Sequence, residues 1–332
     1  MSTLTNCTVL STVVVVLGLT ACQQNEQPPA PESAPAAAAA PACKHDCLLG
    51  FVDRYLAALV AHAPDRAPFA ADARFTENAQ LLDLGDGLWN TASEGPQGYK
   101  LVVADASTGQ AGFYIIMKET GNPIWLSGRL KVEGEEIAEL ETVVIRQGGG
   151  FGNFDRAEPV AVWNEVLEPS QRRPREEMIE IADKYFEAIQ ENLVDSVPFD
   201  EECARLENGV QTANNPSATP PGGAQGPNTM ALGCRENINS PIWAYITEID
   251  PRRYLVVDEE RGIVFGVFMF HHDGSIESVE IPGFGEYKYT GATRRPFTTV
   301  IPEMFKIVDG NIRQIEAIMT ALPYGSTSRW DD

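Results

Sequence analysis

The chain says nearly the same thing twice, and that repeat constrains its fold more than any other feature. Residues 51–78, "FVDRYLAALVAHAPDRAPFAADARFTEN", lie over residues 181–208, "IADKYFEAIQENLVDSVPFDEECARLEN", at a constant offset of 130. Eight of the 28 positions are identical: Asp53/Asp183, Tyr55/Tyr185, Ala58/Ala188, Asp65/Asp195, Pro68/Pro198, Phe69/Phe199, Glu77/Glu207 and Asn78/Asn208. Three further blocks follow in the same order: "YKLVVAD" with "RRYLVVD", "GFYIIMKE" with "FGVFMFHH", and "RLKVEGEEIAELETVV" with "MFKIVDGNIRQIEAIM". A repeat of this length is a whole domain, not a solenoid unit. It predicts two copies, residues 43–147 and 174–332, with 148–173 a linker or packing segment and 209–238, rich in Asn, Pro and Gly, an insertion in the second copy. At 332 residues the chain is long enough for two cores.

The periods within each copy are readable. Leu48, Val52, Tyr55, Leu56 and Leu59 fall at helical spacing, as do Met178, Ile181, Ala182, Tyr185, Phe186 and Ile189. Pro174 is placed to open the second of these helices. The later blocks are rich in Val, Ile, Phe and Tyr and are bounded by Gly, Asp and Asn, the pattern of strands. "VEGEE" and "VDGN" read as hairpin turns. Each copy is therefore α+β: a long helix, a Pro-Phe corner, a short strand ending in Glu-Asn, then antiparallel strands.

The N-terminus supplies an address. Residues 9–21, "VLSTVVVVLGLTA", form an uncharged apolar run of signal-peptide length, too short for a comfortable membrane span. It ends in "LTAC", which resembles the bacterial lipobox, although "MSTLTN" before it carries no Lys or Arg. The resemblance implies a signal peptide over 1–21, cleavage before Cys22, a thioether lipid on its thiol, and a membrane partner reached through that anchor. Gln23, not Asp, in the next position implies the outer membrane by similarity to enterobacterial sorting. The other reading is an ordinary secretory signal with Cys22 incidental. Residues 23–42 are dominated by Pro, Ala, Gln and Ser and read as a disordered tether.

Net charge is −22, which disfavours nucleic acid and anionic lipid surfaces as partners. Cys7 would leave with the signal. In an oxidising envelope, Cys203 and Cys234 bracket the insertion and are placed to close it. Cys43 and Cys47 would bridge only if they sit before the helix proper. A metal site is the rival for "CKHDC", but Cys/His spacing elsewhere is lacking.

"RYLAAL", "RFTEN" running into "LGDGLW", and "KVEGEEIAELE" together resemble the NTF2-like or SnoaL-like superfamily. The C-terminal "KIVDGNIRQIEAIMTALPYGSTSRW" is similar to a family of secreted proteins of fungi and bacteria built on that fold. The resemblance implies two cones, each a curved sheet wrapped on helices around an apolar pocket. Members include isomerases, cyclases, dehydratases, lyases and hydrolases beside proteins without catalysis, so the fold does not name a reaction.

Candidate residues each carry two readings. Glu77-Asn78 and Glu207-Asn208 are general acid–base candidates inside a cone, or a polar network tying helix to sheet. His271 and His272 end a strand where the first copy has Lys118 and Glu119; one faces the pocket as a proton shuttle, or both mark a solvated strand end. Trp89, Trp125, Trp243, Tyr245 and Tyr287 offer flat surface to an aromatic ligand, or fill core and rim. Arg129 is a carboxylate clamp or one half of an ion pair. Tyr55 and Tyr185 lie on the apolar helical faces. No phosphate loop, dinucleotide fingerprint, zinc spacing or nucleophile elbow is present, and no cofactor is expected. Three readings follow: a binding module for a small apolar ligand, a cofactor-free lyase, isomerase or hydrolase, and a structural protein packing sheet to sheet.

Overall fold

The computed structural model describes residues 43–148, 151–191, 193–218 and 227–330. The signal, Cys22, the tether and residues 219–226 of the insertion lie outside the described residues. No described helix is long and apolar enough to cross a membrane.

The first half opens with α1 (His45–Val60), whose buried residues Leu48, Phe51, Val52, Tyr55, Leu56 and Leu59 make one stripe. Its strands are β1 (Phe69–Glu77), β2 (Gln80–Leu82), β3 (Ala92–Glu94), β4 (Lys100–Asp105), β5 (Gln110–Glu119), β6 (Asn122–Glu133) and β7 (Glu136–Arg146). The second half opens with α2 (Arg175–Glu191), where Glu176 and Glu177 in the first turn complement the helix dipole. The short α3 (Cys234–Ile238) lies in the insertion. The strands of this half are β8 (Phe199–Glu207), β9 (Val210–Ala213), β10 (Glu248–Asp258), β11 (Ile263–His272), β12 (Ser278–Ile281), β13 (Gly285–Lys288), β14 (Phe297–Val308), β15 (Asn311–Ala317) and β16 (Thr320–Pro323).

The two large sheets repeat one order. The first runs β2-β1-β7-β6-β5-β3 with β4 also on β5, and the second runs β9-β8-β15-β14-β11-β10 with β16 on β14. Only β1–β7 and β8–β15 pair in parallel in these sheets. Both of those pairs carry a register shift near the Pro-Phe corner, which bends the strand. The sheets curl, and each closes on its own helix, giving the α+β architecture.

Asn78 and Asn208 show why the repeat keeps Glu-Asn. Both take a left-handed φ, +48° and +47°, which Asn tolerates better than most residues. The Asn78 backbone N–H donates to Thr142 O at 2.9 Å, its Oδ1 accepts from Val144 N, and its Nδ2 donates to Val144 O. Asn208 repeats this on Ala317 and Met319. Each amide thus extends the strand ladder past the point where β1 or β8 turns away. These are structural roles, not sites.

The described residues of both halves fall in one compact unit. The reason is a third apolar layer between the sheets, beside the cores of each half. Tyr99, Tyr114 and Trp125 of the first half meet Phe265, Val300 and Met304 of the second there. Gly112 makes the close approach possible, because a Cβ on it would stand 2.8 Å from the Phe265 ring. Trp163, from the segment between the halves, is fully buried in the same layer. Polar groups also pair across the layer. Tyr99 Oη donates to Glu316 Oε1 at 2.6 Å, Trp163 Nε1 donates to Glu316 Oε2 at 3.1 Å, and Arg253 grips Glu141 through both terminal nitrogens.

Both disulfides are formed, Cys203–Cys234 and Cys43–Cys47. The second is accommodated because Cys43 precedes α1 and Cys47 lies in its first turn. Among the described residues no three His, Cys, Asp or Glu side chains cluster to hold a metal.

Candidate functional site

Side chains alternate along a strand, so β8 points Cys203, Arg205 and Glu207 to one face and β14 points Ile301, Glu303 and Phe305 to one face. Cys203, Ile301 and Phe305 belong to the core that the second sheet forms with α2, which places Arg205, Glu207 and Glu303 inside the second cone. Tyr185 descends into the same core from α2.

A cavity of about 200 Å³ opens beside Arg205 and Glu207. Trp243, Tyr245, Tyr287 and Tyr289 line it, with Met230 from the insertion and Met319. Arg205 and Glu207 form its floor. A smaller space of about 40 Å³ shares that floor and is bounded by His271, His272 and Phe297. The Cys203–Cys234 bridge ties the insertion to β8, so Thr212, Met230 and Asn237 stand as wall.

Arg205 is 3% exposed, and its Nη2 lies 2.5 Å from Glu207 Oε1. Its guanidinium stacks over the Trp243 ring, 5.0 Å from the centroid. Burial works against the charge, but Glu207 first, then Tyr185 and Glu303, hold the guanidinium above its ordinary value. Burial pushes the Glu303 carboxyl up to about 7, against the pull of Arg205 and with the push of Glu207. Tyr185 is pushed well above a free phenol, chiefly by burial. Tyr185 Oη stands between the two charged groups, accepting from the Arg205 guanidinium and donating to the Glu303 carboxyl, so the three buried groups meet one another.

The first cone solves the same space differently. Phe75 stands where the second cone has Arg205, because β1 pairs Phe75 with Leu140 and β8 pairs Arg205 with Ile315 at the matching register. Phe113 and Gly128 are cross-strand partners in the first sheet; the matching pair in the second is Gly266 and Glu303. Large and small have changed sides. The Phe113 ring covers Gly128, where a Cβ would meet it at 2.7 Å. Trp89, 1% exposed, packs on Tyr55 at 5.7 Å between ring centroids and joins Phe75 and Phe113 in an apolar filling.

Of the residues singled out from the sequence, the structure gathers Glu207, His271, His272, Trp243 and Tyr245, with Tyr185 behind them. Tyr287 lines the larger cavity beside Trp243 and Tyr245. Tyr55 and Trp89 belong to the filled first cone. Glu77 accepts from Leu88 N at 2.7 Å and pairs with Arg146, a staple for the turn in which Gly87 leaves room for its carboxylate. Trp125 faces the layer between the sheets, not a pocket, and donates to Asn153 O. Arg129 does clamp carboxylates, but those of Glu139 and Glu141, while lying over the Trp330 ring. His272 does not mark a solvated strand end. It is 1% exposed, with Nδ1 2.7 Å from Tyr245 O and Nε2 2.6 Å from Thr293 O, so two segments at the cavity rim fold over it. His271 is half-buried between Thr298 Oγ1 and Asp250 O.

Arg205 and Glu303 were missed. The signal for Arg205 was present: within the aligned repeat, an Arg replaces Phe75 on an inward strand position. Glu303 lies one residue before the aligned "MFKIVDGN" block, opposite a glycine in the other copy.

A family model described as "Domain of unknown function (DUF8021)" matches residues 171–319. No curated protein matches the chain. Among solved structures, a putative isomerase from Bacillus subtilis is similar at 13% identity and a TM-score of 0.27, covering 44% of this chain and 87% of that one. A de novo designed protein with a curved β-sheet is similar at 10% identity and a TM-score of 0.24, with 44% and 87% covered. A phenazine biosynthesis-related protein from Pseudomonas aeruginosa is similar at 11% identity and a TM-score of 0.26, with 44% and 80% covered.

Proposed function

We propose that the chain is a duplicated NTF2-like protein whose second cone binds a small apolar or aromatic molecule, carried at the bacterial outer membrane by an acylated Cys22. The observation that supports this is the contrast between the halves. One cone is packed solid with Phe75, Trp89 and Phe113; the other has an aromatic-walled cavity of about 200 Å³ over a charged floor. A void of ~150 Å³ lined by apolar groups accommodates benzene, so this one suits a ligand of one or two rings. A protein that needed only packing would have no reason to exchange Phe75 for a buried cation at the equivalent position.

Native mass spectrometry of protein from its own host tests the reading. The expected spectrum shows a chain beginning at acylated Cys22, two disulfides and a retained small molecule. Arg205→Phe, which copies the filled cone, is expected to lose that molecule. A spectrum of polypeptide and acyl chains alone, together with no uptake of small aromatic compounds, refutes the binding reading.

Glu303 favours a second reading, proton-transfer catalysis without a cofactor. A carboxyl held near 7 can give and take a proton at neutral pH. Under this reading the retained compound is converted on incubation, and Glu303→Gln stops conversion while leaving binding intact.

A further inference from the structure

The two disulfides among the described residues sit in opposite surroundings. Cys203 and Cys234 are 1% and 3% exposed, stand 31 residues apart in the chain, and belong to the core of the second half. Cys43 and Cys47 are four residues apart at the start of α1, where Cys47 is exposed and Cys43 is half-buried against the core of the first half. Exchange begins when a thiolate attacks a disulfide sulfur, so access decides which bridge reacts in the folded protein and which of its sulfurs is struck. Access selects the first bridge, and Cys47 within it.

The sulfur that leaves is then Cys43, and its surroundings suit a thiolate. The bond to Cys47 holds the Cys43 sulfur at the first turn of α1, a helix of 16 residues whose N-cap, Lys44, offers no side-chain acceptor to the first-turn N–H groups. Those donors, the positive end of the helix dipole and the exposed side chains of Lys44 and His45 all favour negative charge there. His45 lies near two carboxylates, with Nδ1 3.1 Å from Asp46 Oδ1 and Nε2 4.0 Å from Asp258 Oδ2. Asp46 opposes the thiolate, but its side chain is fully in solvent, where its charge is screened. A leaving Cys43 held in this way strikes back at Cys47. With a monothiol, the mixed disulfide on Cys47 is therefore expelled and the bridge closes again. A dithiol escapes this return, because its second sulfur attacks its first and releases Cys47 as well.

We infer that Cys43–Cys47 is a thiol–disulfide exchange site that accepts an electron pair from a dithiol partner. The partner's first thiolate bonds to Cys47 Sγ as the Cys43–Cys47 bond breaks, and Cys43 leaves as a thiolate. The partner's second thiolate then attacks the partner sulfur bonded to Cys47, closing the partner's own disulfide and expelling Cys47 as a thiolate. The two protons shed by the dithiol end on Cys43 and Cys47. The partner is oxidised by two electrons, and the bridge is reduced to two thiols. Cys203–Cys234 takes no part and keeps the insertion on β8. The inference is independent of the cavity and of what it binds.

The test treats the full chain under native conditions with dithiothreitol or with the monothiol glutathione, alkylates the free thiols, and reads each cysteine peptide by mass spectrometry. Dithiothreitol is expected to open Cys43–Cys47 at least about a hundredfold faster than Cys203–Cys234, because the buried bridge must wait for the fold to open. Reduced glutathione is expected to leave no lasting adduct on the native chain. In Cys43→Ser nothing expels an adduct from Cys47, so oxidised glutathione leaves that residue glutathionylated. It does so about tenfold faster than it modifies the half-buried Cys43 of Cys47→Ser. Equal rates for the two bridges, or earlier opening of Cys203–Cys234, overturn the inference. A glutathione adduct that persists on Cys47 of the native chain overturns it too, because Cys43 then does not strike back. Faster modification of Cys43 than of Cys47 in the single variants overturns the assigned direction of attack.

Discussion

Replacing Glu303 by Gln should stabilise this protein, and by an amount that depends on pH. The carboxyl is pushed from an ordinary 4.5 up to about 7 in the folded state, chiefly by burial. A raised acid binds its proton more tightly folded than unfolded. Its contribution is therefore intact below pH 4.5, declines as pH rises, and has been lost once pH passes 7. The displacement of about 2.5 units at 1.36 kcal/mol each makes the ionised carboxylate cost about 3 kcal/mol above pH 7. Gln keeps the shape and carries no charge, so it escapes that cost. Urea unfolding of the native chain and Glu303→Gln at pH 5, 6, 7 and 8 reads the difference directly. The expected gap is small at pH 5 and widens to about 3 kcal/mol in favour of Gln at pH 8. Glu316 is also buried and raised, but it is present in both proteins and cancels in the difference. Two unfolding curves that stay parallel across the range would refute the reasoning, since the carboxyl would then be titrating as it does in water.

Other outcomes follow from the same contacts. Glu141→Gln removes the charge held by both Arg253 and Arg129 in the buried layer, and chemical denaturation should show a loss of about 3–5 kcal/mol. Opening the Cys203–Cys234 bridge, 31 residues apart, as the double alanine variant should cost about 3 kcal/mol in a thermal melt and weaken uptake of small aromatics, because the insertion is cavity wall. Trp330→Ala takes away a ring under Arg74 and Arg129 and a hydrogen bond to Thr76, and should lower stability by about 1–3 kcal/mol without changing ligand uptake. Cys22→Ser should move the protein from the membrane to the soluble fraction of its host if the N-terminus is acylated.

The periodicities carried the elements well. The stripes of α1 and α2 and the hairpins at "VEGEE" and "VDGN" lie where the sequence put them, because spacing along one segment fixes which face is buried. The fate of individual aromatics was not legible. Trp89, Trp125 and Trp243 read alike along the chain, yet one fills a cone, one joins two sheets and one walls a cavity. Which face a strand presents to which neighbour is decided by the meeting of the two sheets, a contact between segments more than a hundred residues apart. Which of the two readings of His272 holds was hidden for the same reason: the residues that bury it, Tyr245 and Thr293, come from outside its strand.

The contrast between the halves carries a physical consequence for how function was accommodated. A cone that exchanges Phe75 for Arg205 and Gly128 for Glu303 gives up apolar burial and takes on buried charge, and each change is destabilising taken alone. Such a cone is more easily tolerated when something else holds it folded. Here the shared layer does so: Tyr99 and Tyr114 of the filled half donate to Glu316 and its backbone on β15, next to the β14 strand that bears Glu303. The first half is therefore more than a spacer. Loosening the layer by Tyr114→Phe, which frees the carbonyls of Pro302 and Glu316, should disturb the second cone before the first. Hydrogen exchange would read this as faster exchange in β14 and β15 with α1 unchanged. Loss of protection confined to α1 and β1 would mean that the second cone stands on its own packing and that the filled half has no such role.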